Sequence, residues 1–214
     1  MENFVMKRSV NYWWERTLVQ FGRKVILCLV KSPITPNMVT LFNLFVIVPL
    51  VCFVSIKKWY FLIAILFQVY MFLDIVDGNL ARNKHMQSEL GRRLDIISDT
   101  IFFTVVIFFV GISLELSIIS VLVPICIHQI YGLIATYYIV PQMKKMSCFK
   151  HTKLKQWFAE RGIIFGMDAT LETLIVSILL LTPIRGWCLG ICGVLWVADL
   201  CYRLYELKIF NKNN

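Results

Sequence analysis

The acidic residues of the chain that matter most for chemistry gather in residues 74–99, DIVDGNLARNKHMQSELGRRLDIISD. Asp74 and Asp77 are three apart, and Gly78 and Ala81 continue the same helical face at four and seven. Gly91, Asp95 and Asp99 form a second stripe at i, i+4 and i+8. The segment between the stripes is short, so they belong to antiparallel neighbouring helices and four carboxylates face one another. Like charges this close are costly unless something positive sits between them. Oxygen ligands without His or Cys point to a hard cation, Mg²⁺ or Mn²⁺, rather than zinc, and four carboxylates have room for two ions. A solvated helix end would require all four to coincide by chance. Gly78 and Gly91 have two readings: small-residue helix packing, or room for a bulky group against backbone.

The elements that must position these residues are membrane helices. Of 214 residues, 58% are hydrophobic and 16% charged, and the mean hydropathy is +0.71. That composition excludes a soluble globular enzyme, a disordered chain and a fibrous repeat. Six stretches are long enough to span, near 37–56, 59–81, 93–112, 115–140, 163–182 and 185–206. Alternating barrel patterning is absent, so the expected fold class is all-α, an integral membrane protein of six transmembrane helices. Residues 1–33 mix Trp13, Trp14, Phe21 and Ile26 with Lys7, Arg8, Arg16, Arg23 and Lys24. They read either as an amphipathic helix in the headgroup region or as a solvated helix packed on the bundle. Thr35 can cap the helix that follows, with Pro36 in its first turn. The division is thus an interfacial helix over 1–33 and one membrane domain over 34–214.

The net charge of +9 does not point to nucleic acid, because Lys and Arg sit in short clusters between apolar runs. With both termini on one side, all 22 Lys and Arg except Lys57, Lys58 and Arg185 share that side. This bias predicts that both termini, and the carboxylates, are cytoplasmic. No cleavable signal peptide is expected, because charges occur throughout the first thirty residues. The seven cysteines lie mostly inside apolar runs and read as reduced packing residues.

The acidic stretch resembles a known signature. It matches D-x-x-D-G-x-x-A-R-x8-G-x-x-x-D-x-x-x-D at every fixed position, through Asp74, Asp77, Gly78, Ala81, Arg82, Gly91, Asp95 and Asp99. This is the motif of the CDP-alcohol phosphotransferase (CDP-alcohol phosphatidyltransferase) family, and a small six-span bundle with an interfacial helix is similar to that family over essentially the whole chain. The resemblance implies transfer of a phosphoalcohol group from a CDP-linked alcohol to an acceptor hydroxyl, with release of CMP. It implies that Asp74, Asp77 and Asp95 hold metal and that Asp99 completes a second site and acts as general base. It further implies that Gly78, Ala81 and Gly91 let cytidine diphosphate lie against the helices. Arg82 and Ser88 could contact its phosphates or base, or Arg82 could snorkel at the membrane face. Homodimers are common in the family, and one is expected here.

The donor is expected to be CDP-diacylglycerol, used in phospholipid synthesis. The alternative is a CDP-linked polar alcohol with a lipid or inositol-phosphate-like acceptor. A small cation carrier is the reading from another class, since buried acids also mark ion paths. The motif is silent on the acceptor. Arg161, Asp168 and Glu172 are candidates for its pocket, or for locking helices together. Lys144, Lys145, Lys150, Lys153 and Lys155 form a basic loop that could attract anionic headgroups. His128 and Gln129 read as interhelical hydrogen-bonding residues, and Asp199 with Arg203 as an i, i+4 ion pair.

Overall fold

A computed structural model describes residues 13–145, 152–161 and 166–212, and all its regular elements are helical. Helix α1 is Trp13–Val30. Four long apolar helices follow, α2 (Pro36–Ile56), α3 (Tyr60–Asn83), α4 (Glu89–Ser113) and α5 (Ile118–Met143). A short α6 (Lys153–Glu160) and α7 (Ala169–Leu180) lead to α8 (Cys188–Lys212). Five helices are long and apolar enough to cross a membrane: α2 to α5, and the 25 residues Arg185–Ile209 that include most of α8.

The expected fifth span, 163–182, differs. The described apolar helix there is 12 residues long and begins at Ala169. Asp168 has extended backbone and its side chain accepts from the Leu171 amide, so it caps the helix instead of lying inside it. Gly166, at φ +152°, takes a conformation that suits glycine and breaks the chain just before. Residues 162–165, and with them the start of the expected span, lie outside the described residues.

Helix α3 is central: α1, α2 and α7 all pack on it, while α5 packs on α8. The main core runs through Val51, Ile63, Phe67 and Tyr70 to Phe102, Phe103, Val106 and Val176, all buried. A second core of Ile26, Val39, Val76 and Leu80 ties α1, α2 and α3 together beside the acidic stretch. Caps and turns fix where the helices start. Thr35 Oγ1 accepts from the Met38 amide and Pro36 occupies the first turn, as the sequence suggests. The Lys84 ammonium donates to the carbonyls of Ser32 and Ile34, both at 2.7 Å, which pins the α1–α2 linker to the end of α3. Three helices contain one widened turn each, Asn43–Ile47 in α2, Phe102–Val106 in α4 and Ala135–Ile139 in α5. Such turns often occur at functional sites. The first two flank the acidic stretch.

Candidate active site

The two acidic stripes do come together. Helix α3 turns back at residues 84–88, and Ser88 starts α4 by accepting from the Gly91 amide at 3.0 Å. Asp74 from α3 and Asp95 and Asp99 from α4 each offer an oxygen, and the three oxygens lie within 4.8 Å of one another. Asp77 is buried one turn further along α3, where its Oδ2 accepts from Thr40 of α2 at 2.6 Å. Asp99 Oδ1 accepts from the Tyr70 hydroxyl at 3.0 Å.

A cavity of about 360 Å³ opens beside the carboxylates, within the range of small-molecule sites. Asp74, Asp77 and Asp95 line it, together with Gly78, Ala81, Arg82, Ser88 and Gly91. Helix α2 adds Pro36, Asn37 and Thr40, and α1 adds Glu15. Seven of the eight fixed motif positions, all but Asp99, line the cavity, and the motif foretells none of the four residues from α1 and α2. A signal for Asn37 and Thr40 was present nonetheless: both are polar, three apart, at the start of an otherwise apolar span.

The glycines differ. A methyl group on Gly91 would come within 3.0 Å of Asn37 Oδ1 and 3.2 Å of Ser88 Oγ, so backbone and side chains are in tight contact there. At Gly78 the nearest atoms are the Arg82 guanidinium nitrogens, at 3.6 and 3.7 Å. Arg82 therefore lies over Gly78, at the cavity, and its buried Nε has no hydrogen-bond partner among the described residues. A half-buried guanidinium with an unsatisfied donor suits an anionic ligand such as a diphosphate. Ser88 has a structural use as a helix cap, and its oxygen also borders the cavity.

The candidates for the acceptor pocket are separate from this cavity. Asp168 caps α7. Glu172 is buried, and its Oε2 lies 2.7 Å from His128 Nδ1, joining α7 to α5. Arg161 is exposed, stacks 3.8 Å above the Trp157 ring and donates to the Trp157 carbonyl at 3.0 Å. Lys155 pairs with Glu206 at 3.2 Å, and Lys153 is exposed. The side chains of Lys144 and Lys145, and all of Lys150, lie outside the described residues. Gln129 donates to Thr104 of α4 at 3.0 Å, and Arg203 pairs with Asp199 at 2.7 Å, both as the spacing suggests. The sequence did not reveal that Tyr131 donates to the same Asp199 carboxylate.

The family model for CDP-alcohol phosphatidyltransferases matches residues 33–198. The chain belongs to this family. No curated protein matches it. Members of the CDP-alcohol phosphatidyltransferase family are membrane phosphotransferases that act on a CDP-alcohol and an alcohol acceptor, and they generally use divalent metals. The matched stretch spans α2 to α7 and part of α8 and includes every residue of the acidic motif.

Proposed function

We propose that this CDP-alcohol phosphatidyltransferase is a metal-dependent enzyme of phospholipid synthesis that moves a phosphatidyl group from CDP-diacylglycerol to an acceptor hydroxyl and releases CMP. The observation that carries the reading is the set of three carboxylate oxygens within 4.8 Å, beside a cavity bordered by Gly78, Arg82 and Gly91. The donor set fits Mg²⁺ or Mn²⁺, since it consists of carboxylates alone. Asp74, Asp95 and Asp99, with Asp77 beside them, would hold one or two such ions. Bound there, the metal would neutralise charge on the phosphoanhydride.

The protein's own groups do the rest. Arg82, lying over Gly78, meets a phosphate oxygen with its guanidinium. Gly91 and Asn37 form a close wall that orients the nucleotide. Asp99 takes the proton of the acceptor hydroxyl as that oxygen attacks phosphorus and CMP leaves. The four acids gather at adjoining ends of α3 and α4, whereas the buried Glu172, Asp199 and Glu206 elsewhere each have a basic partner, His128, Arg203 and Lys155. That supports a catalytic site over a cation path.

A second cavity, about 510 Å³, lies among Phe21 of α1, Phe61 and Phe72 of α3 and Ile178 of α7. Its apolar lining supports a lipid chain on one of the two substrates, and either donor class remains compatible with it. A cytoplasmic active site and pairing of two copies into a homodimer belong to the same proposal, on the charge bias and the family resemblance respectively. The test is release of CMP from CDP-diacylglycerol by the purified chain in lipid nanodiscs. Release that requires Mg²⁺ or Mn²⁺ supports the reading, and no release with any acceptor or CDP-alcohol overturns it.

A further inference from the structure

Asp99 differs from the other three acids of the motif in its surroundings. Alone among them it does not border the nucleotide cavity, and it accepts a hydrogen bond from the Tyr70 hydroxyl at 3.0 Å. Tyr70 is fully buried and is held from three directions. Its ring stacks on Phe102 with centroids 3.6 Å apart and planes 15° from parallel. Its carbonyl accepts from the Asn43 side chain at 3.0 Å. Its hydroxyl also lies 3.2 Å from Ser98 Oγ, next to Asp99 in the chain. Asn43 and Phe102 are the first residues of the widened turns of α2 and α4. A widened turn shifts the side chains around it, so these two irregularities converge on one tyrosine.

We propose that Tyr70 is a positioning residue for Asp99, a role that rests on the metal-dependent transferase reading given above. A hydroxyl donated to Oδ1 fixes the rotamer of Asp99 and leaves Oδ2 as the oxygen without a hydrogen-bond partner among the described residues. That is the arrangement a carboxylate needs if it must present one oxygen repeatedly in the same place. Outer partners of metal-binding carboxylates commonly act this way, and losing one costs about tenfold to a hundredfold in metal affinity or activity. Tyr70 touches neither nucleotide nor cavity, so its loss changes turnover without changing how the CDP substrate binds.

The test uses the full chain in nanodiscs and the variant Tyr70→Phe, which keeps the ring and removes only the hydroxyl. Three quantities are measured: Mn²⁺ affinity by electron paramagnetic resonance without substrate, kcat and KM for the CDP-alcohol, and thermal stability. The expected result is a kcat lower by about tenfold to a hundredfold and weaker Mn²⁺ binding in the same range, with unchanged KM. Phe102→Leu, which keeps the hydroxyl but loosens the ring, should shift the same two quantities in the same direction by less. It stands in if Tyr70→Phe does not fold. Unchanged kcat and Mn²⁺ affinity in the folded variant, with an active wild type, overturn the role of Tyr70 alone. A wild type that releases no CMP overturns the transferase reading, and this role with it.

Discussion

The Thr40 hydroxyl donates a 2.6 Å hydrogen bond to Oδ2 of Asp77, joining residues 37 apart in the chain. Both side chains are buried. The bond links α2, which carries Asn37 to the cavity beside the carboxylates, to the acidic face of α3. Removing it with Thr40→Val keeps the shape and leaves the buried Asp77 oxygen without its donor. Transferase activity should fall about tenfold or more, with the folded protein retained. The check is CMP release beside a thermal melt, and a variant as active as the wild type would show that Thr40 only packs.

The four acids should behave as one unit. Asp74→Ala, Asp77→Ala, Asp95→Ala and Asp99→Ala should each abolish turnover, and a double variant should be no worse than a single one. EDTA should stop the reaction and Mg²⁺ or Mn²⁺ should restore it. Kinetics of singles and doubles, with and without chelator, measure this directly, and full activity in chelator would remove the metal from the scheme.

The two glycines should separate in their tolerance. At Gly91 a new Cβ meets Asn37 at 3.0 Å, so Gly91→Leu must push α2 and α4 apart or fill the cavity. Binding of a CDP-alcohol, read by calorimetry, should be lost. At Gly78 a Cβ meets only the Arg82 guanidinium at 3.6 Å, an ordinary contact with the end of a flexible side chain. Gly78→Ala should therefore fold normally and weaken binding less than Gly91→Leu. Equal affinities for Gly91→Leu and wild type would make Gly91 a packing residue.

Arg161 and Glu172 should respond in opposite ways. Arg161 is exposed and rests on Trp157, so Arg161→Ala should leave the melting temperature nearly unchanged. If it grips a phosphorylated acceptor, the acceptor KM should rise while that of the CDP substrate stays constant. Glu172→Ala removes the buried partner of His128 and should cost about 1 kcal/mol, the scale of hydrogen bonds between membrane helices. Thermal melts and two-substrate kinetics check both. An unstable Arg161→Ala would contradict its exposed position.

Much of this arrangement is legible in the residues themselves. Carboxylates at i, i+3 and i, i+4 cannot face apolar surroundings alone, so Asp74, Asp77, Asp95 and Asp99 announce a shared face, and three of them do bring their oxygens together. Apolar runs of about 20 residues announce the spans. What escapes is whatever depends on how helices pack against one another. Tyr70 looks like an ordinary residue of an apolar span until α2 and α4 are docked on α3. Glu15 looks like one charge among many on an interfacial helix until α1 lies beside the cavity. Asp168 and Glu172, four apart, read as one face of a long span, yet Asp168 is a cap and Glu172 points to His128. The break at Gly166 escapes too, because an apolar run does not reveal where its backbone turns.

The most direct measurement is CMP released from CDP-diacylglycerol by the wild-type chain and by Asp99→Asn, in nanodiscs with Mg²⁺ or Mn²⁺, with the lipid product identified by mass spectrometry. The expected result is CMP and a new phosphatidyl-alcohol lipid from the wild type, stopped by EDTA, and neither from Asp99→Asn, a near-isosteric change that removes the charge and one acceptor oxygen. Equal CMP release by wild type and Asp99→Asn would contradict the assignment of Asp99 and the carboxylate site built around it.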